Sequence, residues 1–171
     1  MCRVACREAL PKRIVAPSVS ETLPLLIPTD IRDAVVAHCR RESPLECCGI
    51  LGGSSQRVQT FYPLRNIAAS ETRYQADPHE LVQAWRSLRE QQQEILAIYH
   101  SHPRWPAVPS KTDLELNYWG DTPRIIISLL TEPAEVRVWR LESDSFQELS
   151  WALVEPLDEP ADSLQVVPEA D

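Results

Sequence analysis

The sequence predicts an α/β fold in which a central mixed β-sheet is flanked by helices. Segments whose apolar residues repeat at helical spacing alternate with short β-rich segments, of which two are almost wholly apolar and two alternate in polarity. Wholly apolar strands are typical of a sheet that is covered on both faces, whereas alternating strands have one face in water. Together these observations predict a layered fold with one mixed sheet.

Two segments have the periodicity of amphipathic helices. The first covers residues 28–43, with Thr29 or Asp30 as its N-cap. Its apolar face comprises Ile31, Val35 and Cys39. The second follows the N-cap Asp77 and has Pro78 in the first helical position, where a missing N–H costs nothing. Its apolar face comprises Leu81, Ala84, Trp85 and Leu88.

Six strands and one short helix complete the predicted sheet and its cover. The strands are expected at 46–53, 57–64, 94–100, 124–130, 135–142 and 145–154. The first two are joined by Gly52-Gly53-Ser54-Ser55, which predicts a hairpin turn there. The third and fourth are almost uninterrupted in hydrophobicity, so we expect them to be buried on both faces. A short helix is expected to begin near Ser110.

The length and charge distribution predict one domain with a tail. A chain of 171 residues is the size of a single domain, which we expect over residues 29–154. Residues 1–28 are an N-terminal extension whose order the sequence leaves open. Residues 155–171 hold six of the 25 acidic residues and no basic one, and they are predicted to be disordered.

The composition excludes several classes of protein. Outside the tail the chain has 17 basic and 19 acidic residues, so no basic surface for nucleic acid is expected. No apolar stretch approaches the roughly 20 residues that cross a bilayer, and the N-terminus has no continuous apolar core of a signal peptide. Five cysteines without a C-x-x-C pair argue against a disulfide framework and a zinc ribbon. We therefore expect a cytoplasmic protein with reduced thiols and no membrane partner; its oligomeric state is left open.

The segment YHSHPRWPAVPSKTD carries the candidate chemistry. His100 and His102 are two residues apart at the end of a predicted strand, so their imidazoles leave the same side of the backbone and can share one ion. A loop stiffened by three prolines then leads to Ser110 and Asp113. Two imidazoles and one carboxylate suit a zinc ion that keeps a fourth position for water. Ser110 and Asp113 also have the spacing of a helix capping box, and the two roles are compatible.

The pattern H-x-H-x7-S-x2-D, formed by His100, His102, Ser110 and Asp113, resembles the signature of the JAMM (MPN+, Mov34/PAD-1) zinc metalloproteases, most closely their bacterial single-domain members. The segments SPLECCGILGG and RNIAASETRYQADPHE are similar to two upstream motifs of that family. The resemblance covers roughly residues 29–150 and implies a JAB1/MPN-like (cytidine-deaminase-like) layered fold.

The resemblance also implies an activity and a role for each site residue. One Zn2+ per chain would be held by His100, His102 and Asp113, and it would activate a water molecule that attacks an amide carbonyl. Glu46 matches the family's general acid/base, and Ser110 matches the residue that stabilises the developing oxyanion. Similar proteins cleave after the C-terminal Gly-Gly of ubiquitin or of ubiquitin-like sulfur carrier proteins. We expect the sulfur-carrier class because the chain leaves little room near the site for a ubiquitin-gripping insertion.

Two other functions compete with this interpretation. A catalytically inactive scaffold of the same fold would lack the ligands that this sequence retains. A zinc deaminase would need H-x-E and a later P-C-x-x-C, and the chain has neither.

Several conspicuous residues are expected to be structural. His38 is predicted to be exposed on the first helix, and His79 lies in the first turn of the second. Cys47 and Cys48 should pack on opposite faces of one strand, with a redox role as a minor hypothesis. Trp105 is expected to lie in the proline-rich loop beside the metal. The sequence leaves open whether it lines the substrate groove.

Overall fold

The computed structural model describes residues 23–156, and the predictions for residues 1–22 and 157–171 lie outside this range. One eight-stranded sheet organises the described chain. Its strands are β1 (Leu25–Pro28), β2 (Cys48–Ser54), β3 (Arg57–Leu64), β4 (Glu94–His102), β5 (Arg124–Ser128), β6 (Glu135–Leu141), β7 (Phe146–Glu148) and β8 (Trp151–Val154). Its helices are α1 (Thr29–Glu42), α2 (Pro78–Glu90) and α3 (Lys111–Glu115).

The sheet is mixed, as predicted, and it is curled. The strand order is β7-β6-β5-β4-β2-β3-β1-β8, in which β4 and β5 are parallel while β2 is antiparallel to both β3 and β4. The two edge strands, β7 and β8, are separated by only Leu149 and Ser150 in sequence. Leu149 N donates to Val138 O, and Leu25 N donates to Ser150 O. This short link brings the two edges of the sheet together.

The two long helices cover opposite faces of the sheet. Ile31, Val35 and Cys39 of α1 are buried in a cluster that also includes Ile125 and Ile127 of β5. Ala84 and Leu88 of α2 are buried in a second cluster with Ile50, Tyr62 and Ile98. Strand β4 is thus covered on both sides, and the second face of β5 is covered because Ile126 packs with Ala107 and Trp139. This confirms the expectation drawn from the apolar sequences of the two strands.

Four details of the predicted fold were wrong. The sheet reaches back to Leu25, four residues before the expected start of the domain, because β1 fits between β3 and β8. The single strand expected at 145–154 divides into β7 and β8, since the curled sheet places its two halves at opposite edges. The N-cap position of α1 is Pro28, without a side-chain bond, instead of Thr29 or Asp30.

The fourth detail concerns the hairpin between β2 and β3, which is present but turns later than predicted. Its turn residues are Ser55 and Gln56, with φ of 51° and 65°. Gly52 and Gly53 instead lie inside β2. A Cβ on Gly52 would meet the side chain of Leu88 and would lie 2.6 Å from Thr60 Oγ1, so glycine is needed there for α2 to approach the sheet.

Two residues also differ from their predicted exposure. His38 is buried in the structure, where its Nδ1 lies 2.8 Å from the Tyr99 hydroxyl. Trp85 is 45% exposed and covered in part by the Arg89 guanidinium, because α2 packs on the sheet through Leu81, Ala84 and Leu88. No helix within residues 23–156 combines the length and the apolar character needed to cross a membrane.

Candidate metal centre

Strand β4 delivers the two predicted histidines to one point at its C-terminal end. His100 and His102 are both buried and leave the same face of the strand. Their Nε2 atoms lie 3.1 Å apart. His102 Nδ1 lies 2.7 Å from the carbonyl oxygen of Pro106, which leaves Nε2 as the nitrogen that faces His100. The proline-rich loop therefore fixes the orientation of the second imidazole.

Asp113 completes a three-ligand group with these histidines. Its Oδ1 lies 3.2 Å from His100 Nε2, and its Oδ2 lies 3.6 Å from His102 Nε2. Zinc holds nitrogen and oxygen ligands at about 2.0–2.2 Å in a tetrahedron, so two of its ligand atoms stand roughly 3.3–3.6 Å apart. The separations in this group are close to that range. The donor set and its spacing therefore fit one tetrahedral zinc ion.

The capping box at the start of α3 holds the Asp113 carboxylate in place. The Ser110 N–H and hydroxyl each donate to Asp113 Oδ2 at 2.7 Å, and the Asp113 N–H donates to Ser110 Oγ at 3.2 Å. Asp113 Oδ2 accepts both hydrogen bonds that Ser110 donates, so Oδ1 stays directed at His100. The capping role of the pair and its place at the metal site are thus compatible in one geometry.

The register between β2 and β4 brings Glu46 to the site. Cys48 pairs with His100, and the alignment continues because Ser101 N donates to Cys47 O at 3.0 Å. Two residues before β2, Glu46 is buried close to His102 and Asp113, since the charges of both affect the pKa of its carboxyl. Burial raises the pKa of the Glu46 carboxyl to about 8, although the charge of His102 opposes that shift. A bound cation would lower this pKa.

Electrostatics link the three ligand residues to one another. Burial alone would raise the pKa of Asp113, but the charge of His100 and hydrogen bonds from both imidazoles and Ser110 hold that pKa well below its ordinary value. Burial would lower the pKa of His102, yet its bonds to Asp113 and Pro106 raise it. His102 and Asp113 thus favour each other's charged form.

Three further residues support the site and were not assigned a role from the sequence. Asn66 Nδ2 donates to the carbonyl oxygen of Glu46 at 2.8 Å, and its Oδ1 accepts from the backbone of the loop over 66–76. Tyr74, in the same loop, stacks on the His100 ring at 4.6 Å between centroids. Arg124 is buried, and its charge opposes the rise that burial causes in the pKa of Tyr74. Asn66 and Tyr74 stand in the motif-like segment RNIAASETRYQADPHE, whereas Arg124 had no signal beyond a charge before an apolar strand.

The remaining singled-out residues have structural positions. Cys47 and Cys48 are buried on opposite faces of β2, as predicted, and Cys47 Sγ lies 3.4 Å from Cys39 Sγ. His79 is exposed, and its N–H donates to the N-cap Asp77. Trp105 is 56% exposed and does not line the cavity described next.

A cavity of about 810 Å³ opens beside Asp113. Its walls are mostly aromatic and aliphatic, and they include Ile67, Tyr74, Leu116, Tyr118 and Trp119. Sites for small ligands have volumes of roughly 300–1,000 Å³ and the same predominance of apolar lining. The cavity therefore provides room for an organic substrate next to the three-ligand group.

A curled mixed sheet with a His-His-Asp group at the end of one strand defines this chain as an α/β domain whose side chains there could hold a metal ion. The chain matches the model of the prokaryotic homologues of the JAB domain over residues 28–142, and it belongs to that family. The family predicted from the motif of His100, His102, Ser110 and Asp113 is thereby confirmed.

Two curated relatives have names that describe an activity. The chain is 37% identical over 106 residues to the CysO-cysteine peptidase of Mycobacterium tuberculosis, covering 61% of this chain and 73% of the relative. It is 31% identical over 136 residues to the desampylase of Haloferax volcanii, covering 75% of this chain and 96% of the relative.

Solved structures share the fold. Protein DSY2949 from Desulfitobacterium hafniense has a TM-score of 0.72 and 30% identity, covering 78% of this chain and 94% of its own. AF2198, a JAB1/MPN domain protein from Archaeoglobus fulgidus, has a TM-score of 0.52 and 16% identity, covering 77% and 98%. The predicted JAB1/MPN-like layered fold is confirmed.

Proposed function

We propose that this chain is a zinc-dependent peptidase or isopeptidase that hydrolyses the amide bond after the C-terminal Gly-Gly of a ubiquitin-like or sulfur carrier protein. The observation that carries the proposal is the convergence of His100, His102 and Asp113, with side-chain N and O atoms 3.1–3.6 Å apart, near the buried carboxyl of Glu46. Peptidase and desampylase activities of relatives support the same class of reaction.

Each residue of the site has a distinct part in the proposed reaction. His100, His102 and Asp113 would hold the zinc, which supplies Lewis acidity and lowers the pKa of a water molecule toward about 7. The Glu46 carboxylate accepts a proton from the attacking water and delivers it to the leaving amine. Such a group works best when its pKa lies near the operating pH, which burial favours for Glu46.

Ser110 is proposed to stabilise the oxyanion that forms when the carbonyl is attacked. In the structure its hydroxyl donates to Asp113 Oδ2 at 2.7 Å. Oxyanion stabilisation therefore requires the hydroxyl hydrogen to turn from Asp113 toward the substrate. The Ser110 backbone N–H also donates to Oδ2, so the carboxylate keeps one bond of the cap when the hydroxyl turns away.

The substrate class follows from the relatives and the cavity. A C-terminal Gly-Gly tail lacks side chains at its last two positions, so it is thin enough to reach a carboxylate and two imidazoles that are largely buried. The residues that precede the tail would lie in the apolar cavity beside Asp113. A cytoplasmic location, where such carriers act, remains a prediction of the sequence.

The test combines zinc analysis with cleavage of a carrier protein fused at its Gly-Gly terminus to cysteine or a short peptide. We expect the wild type to bind one zinc ion and cleave the fusion, and Glu46→Gln to keep the zinc while losing about 100-fold to 10,000-fold in rate. Glu90→Gln, an exposed residue of α2, is the matched control and should behave as wild type. Intact fusion after treatment with the zinc-loaded wild type would refute the proposed substrate class.

A metal-free scaffold is the alternative function, and zinc analysis decides between them. A purified protein that contains no zinc and takes none up would be a scaffold, since the ligand residues would then serve packing alone.

A further inference from the structure

The two imidazoles of the metal centre are oriented in different ways. His102 Nδ1 lies 2.7 Å from Pro106 O, which is the usual arrangement for a metal-binding histidine. His100 Nδ1 is buried and has no hydrogen-bond partner within residues 23–156. Something other than a hydrogen bond must therefore fix the rotation of the His100 ring about its side-chain bonds.

The ring of Tyr74 occupies the position that can do this. It stacks on His100 with 4.6 Å between the ring centroids and 24° between the planes. The ring of His102 packs against another side of the His100 ring, with 4.9 Å between the centroids and 61° between the planes. The His100 ring is thus confined between an aromatic platform and the second imidazole, and its rotation would separate the stacked faces.

Arg124 is close to Tyr74, because its charge opposes the rise that burial causes in the pKa of the Tyr74 hydroxyl. Its side chain is buried. Its other contacts are with Asn117 Oδ1 and with Thr122 O at 2.6 Å. Burying a guanidinium is costly unless its donors are used, so these contacts keep the group in one place. Tyr74 therefore stacks on an imidazole and lies near a fixed cation.

We propose that Tyr74, held by Arg124, is a positioning residue for the metal ligand His100, and that ring stacking replaces the hydrogen bond that would otherwise orient this imidazole. The inference rests on the proposed zinc site. It does not depend on the substrate or on the role of Glu46, because it concerns only how tightly and in which geometry the ion is held.

The first test is zinc affinity, measured by competition with a chelator. Loss of an outer-shell partner usually weakens metal binding by 10-fold to 100-fold, so Tyr74→Leu should bind zinc at least about tenfold more weakly. Tyr74→Phe keeps the ring and should stay within about threefold of wild type. Phe61→Leu is the matched control, because Phe61 packs on Tyr99 on the opposite face of β4, with 5.6 Å between the ring centroids. The zinc affinity of this variant should equal that of the wild type.

The second test separates positioning from general loss of structure. The visible absorption spectrum of the Co2+-loaded protein reports ligand geometry, and it should change in Tyr74→Leu while Phe61→Leu and Tyr74→Phe retain the wild-type spectrum. Arg124→Lys should weaken zinc binding by about threefold, and this loss should disappear in the Tyr74→Leu background because Arg124 acts through Tyr74.

The outcomes are distinguishable from those of the proposed function. If the wild type binds zinc and Tyr74→Leu binds it equally well with an unchanged Co2+ spectrum, the positioning role is refuted and the metal site stands. If the losses from Arg124→Lys and Tyr74→Leu add fully, Arg124 does not act through Tyr74. If the wild type binds no zinc, both the proposed function and this inference fall.

Discussion

Replacing Glu46 by glutamine should stabilise the zinc-free protein while it abolishes activity. The residue is 4% exposed, and burial raises the pKa of its carboxyl from 4.5 to about 8. Above pH 4.5 the unfolded chain gains free energy by releasing a proton that the folded state retains, so stability falls as pH rises and levels off above the folded-state pKa. The loss is about 1.4 kcal/mol for each pH unit in that interval.

The expected difference can be stated for two pH values. The buried carboxyl lowers the free energy of unfolding of the zinc-free protein by about 3 kcal/mol at pH 7 and by about 1 kcal/mol at pH 5. Glutamine has no charge to desolvate, so zinc-free Glu46→Gln should exceed wild type in the free energy of unfolding by about these amounts. Urea denaturation in the presence of a chelator measures both, with Glu90→Gln as the control.

The reasoning has a clear point of failure. If Glu46→Gln shows no gain at pH 7, or the same gain at pH 5 and pH 7, the carboxyl is not desolvated in the folded protein and Glu46 does not lie in a buried site. A gain in stability together with a loss of cleavage would instead show that the protein tolerates an unfavourable buried acid for the sake of its chemistry.

Three other substitutions test the remaining parts of the site. Asp113→Asn removes the anionic ligand and should weaken zinc binding by more than about 100-fold in chelator competition; binding within tenfold of wild type would remove Asp113 from the ligand set. Asn66→Ala breaks four hydrogen bonds of the loop that holds Glu46. It should lower the free energy of unfolding by about 2–4 kcal/mol in urea, and a loss below 1 kcal/mol would show that the loop is held elsewhere. Ser110→Ala should cost about 1 kcal/mol for the cap and roughly 100-fold or more in kcat; a stability loss without the kcat loss would leave Ser110 as a cap alone.

The sequence predicted the parts of the fold that depend on local pattern. The bounds of β3, the cap and first residue of α2, and the burial of β4 and β5 all follow from short segments whose turn residues and apolar spacing agree. Trp85 was misassigned because helical periodicity defines a face but not its width, and α2 touches the sheet only along a narrow stripe.

Long-range contacts were beyond the reach of such patterns. β1 has four residues and lacks distinctive alternation, and its place depends on β8, more than a hundred residues later. The division of 145–154 into two strands likewise depends on the curl of the whole sheet. His38 is buried with Tyr99 as its hydrogen-bond partner. Nothing in the charged helix around His38 indicates that partner.

The sequence by itself determined the family of this protein and the residues that we propose as metal ligands, because the two histidines, the serine and the aspartate stand within fourteen positions and their spacing is local. The tertiary structure decided how the site is supported. Glu46 is buried where the charges of His102 and Asp113 affect its pKa, a loop organised by Asn66 binds its backbone, and Tyr74 of that loop stacks on His100. These contacts join segments that are distant in sequence, so they arise only when the sheet has folded and brought its strands into register.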